Sequence, residues 1–246
     1  MDSVMDSVTN STIKADTEMP IVFDLAQTPL REVNRFLHQE ISQHNGKSIR
    51  ILNPDGAHNI AVGVDHEVNI EIAGHTGYYA AGMNQLANVM ILGNAGPGVA
   101  ENMMSGCVQV KGFASVSAGA SAQGGLLIIE GNAGLRCGIS LKGGDIVVGG
   151  SVGSFSAFMA QAGRIVICGD AGDALGDSLY EAVIYVRGKI KSLGADAQIE
   201  PMTDADYQTV TELLAQANFP YSSKEFRRVA SAKQLYHWNA DDNQEY

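Results

Sequence analysis

Gly74, Gly93, Gly112, Gly131, Gly150, Gly169 and Gly188 follow one another at intervals of 19 residues. The chain holds 28 glycines in 246 residues, so seven in one register are not a chance arrangement. Other positions keep the same period. Two residues before each glycine stand Ile72, Ile91, Val110, Ile129, Val148, Ile167 and Val186. Four before stand Ile70, Val89, Val108, Leu127, Ile146, Ile165 and Ile184. Two after come Thr76, Ala95, Ala114, Ala133, Val152, Ala171 and Ile190, and seven after come only Ala or Gly.

Aliphatic residues at i and i+2 lie on one face of a strand. Repetition at a fixed period stacks each strand on its equivalent and turns the inward residues into ladders. Glycine after each strand marks a tight corner, where the chain needs a positive φ or a close backbone approach. Small residues seven positions later suit a second crowded corner. The pattern predicts an all-β solenoid, a right-handed parallel β-helix of about seven 19-residue rungs with helical N- and C-terminal elaborations. At ~4.8 Å per rung the rod is roughly 34 Å long. A helical repeat needs 30 or more residues, and a leucine-rich repeat needs its Leu-x-x-Leu-x-Leu signature, which is absent. A left-handed helix would run near 18 residues with three equivalent aliphatic sides; here the sides differ.

The flanks do not repeat, and they divide the chain. Residues 1–19 read as a disordered N-terminus. Residues 20–66 read as a helix and strands capping the rod, and 67–200 as the β-helix. Residues 201–219 read as a C-terminal helix, and 220–246 as a basic and aromatic tail. Thr28 and Pro29 suit an N-cap and first helical residue. Leu30, Val33, Leu37 and Ile41 give a helical stripe that Gly46 ends. Ser48 to Leu52 and His58 to Val64 read as strands about the turn Asn53–Gly56. Thr203 with Asp206 matches a capping box, followed by the stripe Tyr207, Val210, Leu214 and Ala217. Such a helix could close the open end of the rod.

With 16 Lys plus Arg against 27 Asp plus Glu, the net charge is −11. This excludes nucleic acid and anionic membrane as expected partners. No apolar run is long enough for a membrane span, and the acidic start has no signal-peptide core, so a cytoplasmic setting is expected. Cys107, Cys137 and Cys168 fall at different phases of the repeat and form no metal or disulfide pattern. His58, His66 and His75 match no His-Glu-x-x-His motif. Gly93 to Gly98 contains a fragment like a dinucleotide loop, but it recurs with the rungs and is explained by corners. Asp170, Asp173, Asp177 and Glu181 cluster in one rung. Paired carboxylates could serve carbohydrate chemistry, yet sugar-binding aromatics are few, and a solvated or partner-facing corner is the simpler reading. No catalytic, cofactor-binding or metal-binding residue is therefore assigned.

Between the two inward residues of each strand lies an outward one: Met90, Gln109, Ile128, Val147, Val166 and Tyr185. Stacked, they make an apolar stripe, expected to be covered by another subunit or by the chain's own ends. Ile128, Val147, Val166 and Tyr185 are thus candidate interface residues. The basic cluster Lys224, Arg227, Arg228 and Lys233 is a second candidate, expected to meet an acidic surface on a partner.

Several segments resemble one family closely. They are Phe23-Asp24-Leu25 with Leu30 to Asn34, Gly77-Tyr78-Tyr79, Gly93 through Gly106, Arg136 to Ser140, Phe158 to Gly163, Gly169 to Gly172 and Gly176 to Glu181. Over about residues 21–217 the chain resembles the Gly-x-Gly-x-Gly domain at the C-terminal end of the large chain of glutamate synthase, also found in formylmethanofuran dehydrogenase and related formyltransferase/hydrolase complexes. It is most similar to the stand-alone branch that serves N-methylglutamate synthases. The resemblance implies a non-catalytic subunit joining an amidotransferase-like subunit to an FMN-binding glutamate synthase-like subunit. FMN and an iron–sulfur cluster are then expected in that partner and none in this chain. The holoenzyme, a methylamine–glutamate N-methyltransferase, would make N-methylglutamate from methylamine and glutamate. The same scaffold in a glutamate synthase or a formyltransferase complex is the alternative, and a self-sufficient carbohydrate enzyme is a further one.

Overall fold

Eleven strands form one sheet in the order β1-β2-β3-β4-β5-β6-β7-β8-β9-β11-β10. The computed structural model describes residues 19–44 and 48–233. β1 (Ile21–Asp24), β2 (Ile49–Leu52), β3 (Asn69–Ala73), β4 (Asn88–Ile91) and β5 (Cys107–Val110) stack in parallel with β6 (Leu126–Ile129), β7 (Lys142–Val148), β8 (Ala162–Ile167) and β9 (Val183–Val186). The register is that of the repeat: Ile70 pairs with Val89, then Val108, Leu127, Ile146, Ile165 and Ile184 in turn. These residues and the ladder two positions on are buried. Parallel bridges join Thr76, Ala95, Ala114, Ala133, Val152, Ala171 and Ile190, so the position two after each glycine forms a second wall. The fold is a parallel β-solenoid of about seven turns, as the period predicts.

After Gly74, the repeat glycines act through close approach rather than an unusual φ. A Cβ on Gly93 would lie 2.6 Å from the carbonyl carbon and oxygen of Gly74, and one on Gly131 2.8 Å from the Gly112 oxygen. The third side of the rung is where left-handed backbone concentrates. Residues five, seven and nine after each of the first six repeat glycines have positive φ, for example Tyr79, Ala81 and Met83, or Phe155, Ala157 and Met159. The amide at the first of these bonds forward to the next rung (Tyr79 N to Pro97 O, 2.9 Å), the second bonds back (Ala100 N to Ala80 O, 2.9 Å), and the third forward (Met83 N to Glu101 O, 2.7 Å). A left-handed non-glycine residue costs about 1–2 kcal/mol. It persists here because each one places an amide on a neighbouring rung that would otherwise be an orphan. The middle position also points inward: a Cβ on Gly138 would meet Ile165 Cδ1 at 2.6 Å. That restricts it to Ala or Gly.

At the N-terminal end, β1 and β2 are rungs of the same sheet, so the rod begins at Ile21 rather than near residue 67. Between them lies α1 (Leu30–Gln39), which buries Val33 and Leu37 against the core. Pro29 caps it with no side-chain hydrogen bond, so Thr28 is not its N-cap. The helix ends before a 3₁₀ turn at Ile41–His44, and Gly46 lies outside the described residues. His58 to Val64 is turn, not strand; Asn59, Ala61 and Gly63 already have the left-handed φ of the third side. Alternation in sequence was misleading there because this side follows turns rather than a pleat.

This first turn has no preceding rung, and α1 supplies one. Asn34 Oδ1 accepts from Ala61 N at 3.1 Å, in the role the preceding carbonyl takes elsewhere. Asn34 Nδ2 donates to Asn59 O at 2.9 Å, and His38 Nε2 donates to Val62 O at 2.8 Å. Asn34→Ala removes two of these bonds and should lower stability by about 1–3 kcal/mol. Asn34→Asp retains the acceptor but sets a carboxylate beside the Asn59 carbonyl, and should be no milder. Denaturant midpoints of the two variants check this.

At the other end, β10 (Ala197–Glu200) and β11 (Arg227–Ser231) are antiparallel, with β11 pairing to β9. The last rung is thus closed by strands. α2 (Asp204–Gln216), which the sequence suggested as the end cap, lies instead on the outer face of the sheet.

Candidate interaction surfaces

The apolar stripe is covered by the chain itself. Val210, Leu213 and Leu214 of α2, with its C-cap residue Ala217 and with Phe226, pack over Ile128, Val147, Val166 and Tyr185. Val147 and Val166 are fully buried, and Ile128 and Tyr185 nearly so. The stripe is continuously apolar where α2 lies and mostly polar before it (Arg50, Glu71 and Gln109, with Met90 among them), so the change along the rod marks where the helix docks. These four residues are not available to another subunit.

The Thr203–Asp206 capping box forms as the sequence predicts and fixes the start of α2. Asp206 also ties the helix to the sheet, since Tyr185 Oη donates to its Oδ1 at 2.6 Å and Arg228 Nε lies 3.3 Å from the same oxygen. Burial pushes the Tyr185 hydroxyl pKa up, and its bond to Asp206 adds to this. For Asp206 burial acts upward, but hydrogen bonds from Thr203 and Tyr185 outweigh it, and the net shift is down from 3.8. A depressed carboxyl pKa stabilises the fold above its unfolded value, and that contribution disappears as pH falls through the folded value. The melting temperature should therefore drop on acidification below about pH 4. Tyr185→Phe, lacking one donor, should show a smaller drop over the same range.

Two members of the basic cluster are used within the chain. Arg228 pairs with Glu200 as well as Asp206, and Arg227 donates to the Gly188 carbonyl. Both belong to β11, so the expected partner-binding role narrows to Lys224 and Lys233, which are exposed. Tyr236, His237 and Trp238 lie outside the described residues.

The reactive-looking side chains hold rung to rung. His58 Nδ1 accepts from Tyr78 N, and His75 Nδ1 from Asn94 N, each at 2.9 Å. Asp170 Oδ1 accepts from Lys189 N at 2.7 Å, and Asp177 Oδ2 from Ala195 N at 3.2 Å. Asp173 pairs with Lys191. Asn94 and Asn132 do the same as His75 one and three rungs on, accepting from Phe113 N and Ser151 N. After five of the seven corner glycines, at His75, Asn94, Asn132, Ser151 and Asp170, the side chain accepts from an amide of the next rung; Phe113 and Lys189 are the exceptions. Burial raises the thiols to about 11 for Cys107 and about 12 for Cys137 and Cys168. Cys137 stands in a core column with Ala118 and Ser156. Among the described residues no group of three His, Cys, Asp or Glu side chains converges as a metal site. Nor is any described helix long and apolar enough to cross a membrane.

One surface has no counterpart in the sequence reading. Along the third side, from the rung of Gly74 to that of Gly150, the residues four, five, eight and nine after each glycine include only two charges, Glu101 and Arg136. Tyr78, Tyr79, Met83, Val116, Leu135, Phe155 and Met159 there are each 37–52% exposed. The signal was present in the repeat at positions away from the aliphatic ladders, but only the left-handed turns reveal that those side chains point outward.

Fold and surfaces together define a structural class: a glycine-repeat β-solenoid with a helix-capped end and a long, sparsely charged side. No family model matches the chain. It is 53% identical to Protein GlxC of Rhizobium meliloti (strain 1021) over 229 residues, covering 93% of this chain and all of that protein. The chain belongs to the GlxC family, a membership that supports the glutamate-synthase-like resemblance of its repeat.

Proposed function

We propose that this chain is the non-catalytic β-solenoid subunit of an N-methylglutamate synthase. In this reading it joins an amidotransferase-like subunit to a subunit carrying FMN and an iron–sulfur cluster, and the assembly forms N-methylglutamate from methylamine and glutamate. The observation that carries it is the glycine-repeat rod itself, whose segments resemble the Gly-x-Gly-x-Gly domain of glutamate synthase. His58, His75, Asp170 and Asp177 support the same reading, because they accept hydrogen bonds from the next rung instead of converging on a substrate. The cysteines, at three different phases, suit a rod whose redox groups are held by another chain. The test is to purify the tagged chain from its native cells, identify what co-purifies, and assay the assembly with methylamine and glutamate. Co-purification of both subunits with N-methylglutamate formation supports the proposal. Turnover or flavin binding by the isolated chain overturns the non-catalytic role. Glutamate or formyl-transfer activity in the assembly overturns the N-methylglutamate assignment.

A further inference from the structure

We propose that the sparsely charged third side of the rod is a homodimer interface. Two copies pack antiparallel across it, about a two-fold axis at the rung of Gly112. This inference does not rest on the reaction assigned above. It rests on a mirror pattern along the rod. A two-fold axis lying across the rod sets each position opposite the same position of the rung equally far on the other side. Tyr79, two rungs before the centre, then faces Phe155, two rungs after, both five residues past their glycines. Met83 faces Met159, both nine past, and Val116 in the central rung faces its own copy.

The two charges obey the same symmetry. Glu101 stands eight past its glycine, but its Oε2 lies 2.9 Å from where a Cβ of Gly98 would stand, with the Tyr79 ring 2.6–2.7 Å from the same point, so its carboxylate reaches the five-past position one rung before the centre. Arg136 occupies that position one rung after it. Each Glu101 therefore faces an Arg136 of the other copy, twice per dimer. Neither residue has an ion-pair partner within the chain among the described residues. Burial already pushes the Glu101 carboxyl upward, which a facing guanidinium would reverse. Two chains of net charge −11 repel in general. A face that is locally neutral, apolar and matched in charge to itself is where they can meet. A different protein would have no need of the mirror arrangement.

The test is the mass of the full-length chain at micromolar concentration by light scattering and sedimentation. A dimer of twice 26.0 kDa is expected. Val116→Arg sets like charges together at the axis and should give monomer with an unchanged circular dichroism spectrum. Arg136→Glu faces Glu101 with a second carboxylate and should weaken the dimer at least about tenfold. Glu101→Arg combined with Arg136→Glu should restore it. Should Val116→Arg fail to fold, the charge exchange decides alone. A monomeric wild type overturns the proposal, including one that binds a different subunit through this face. So does a dimer indifferent to Arg136→Glu, or a double variant that does not recover.

Discussion

Gly131→Val lowers the melting temperature by about 6–12 °C, the equivalent of about 3 kcal/mol in a chain of this size. The added side chain has nowhere to go. Already the Cβ would lie 2.8 Å from the Gly112 oxygen, 3.0 Å from its carbonyl carbon and 3.1 Å from Phe113 N. All three are backbone atoms in the rung below, and that rung is hydrogen-bonded on both sides. Relief requires the spacing of two rungs to open, which costs the Gly131 N to Gly112 O bond and the packing beneath it. Gly56→Ala is the informative contrast. Nothing lies within 4 Å of its Cβ position, and only its φ of +71° resists substitution, so it should cost about 1 kcal/mol. Thermal melts of the pair separate close approach from conformational strain. An unchanged melting temperature for Gly131→Val would contradict the stacked-corner account.

Val147→Asp destabilises the C-terminal half by about 3–5 kcal/mol, because it leaves an uncompensated charge in a buried site. Val147 is fully buried between Ile128 and Val166 under Val210, Leu213 and Leu214. The carboxylate can reach water only if α2 lifts from the sheet, so proteolysis within residues 204–216 should accelerate before the rod itself unfolds. Val147→Ala should lose only about 1.5–3 kcal/mol and leave α2 docked. Equal protease resistance in the wild type and the Asp variant would show that α2 is not held by this stripe.

The two predictions mark different levels of what can be read from residues alone. Gly131 was legible because its constraint recurs: every rung must pass the same corner, so the same residue type returns at 19. The aliphatic ladders, the Thr203 capping box and the apolar character of the Ile128–Val147–Val166 stripe were legible for the same local reasons. What covers that stripe was not. A buried apolar face looks identical in sequence whether its cover is another protein or a helix further along the same chain, and only the tertiary structure shows α2 there.

Arg228 shows the same limit. As one of four cations in a short span it suggested an acidic partner, yet the acids it meets, Glu200 and Asp206, come from the chain's own β10 and α2. Charge in a sequence reports supply and not pairing. The third side of the rod was hidden for another reason. Its residues sit in alternating left-handed turns, where neither the two-residue nor the 3.6-residue period applies, so His58 to Val64 read as strand, Tyr79, Glu101 and Arg136 read only as part of a family resemblance, and none of them read as a surface. By itself the sequence determined the solenoid, its period and its inward ladders, since these follow from short-range sterics repeated at a constant interval. Only the tertiary structure decided which outward faces remain open, because that depends on where the non-repeating ends of the chain come to rest.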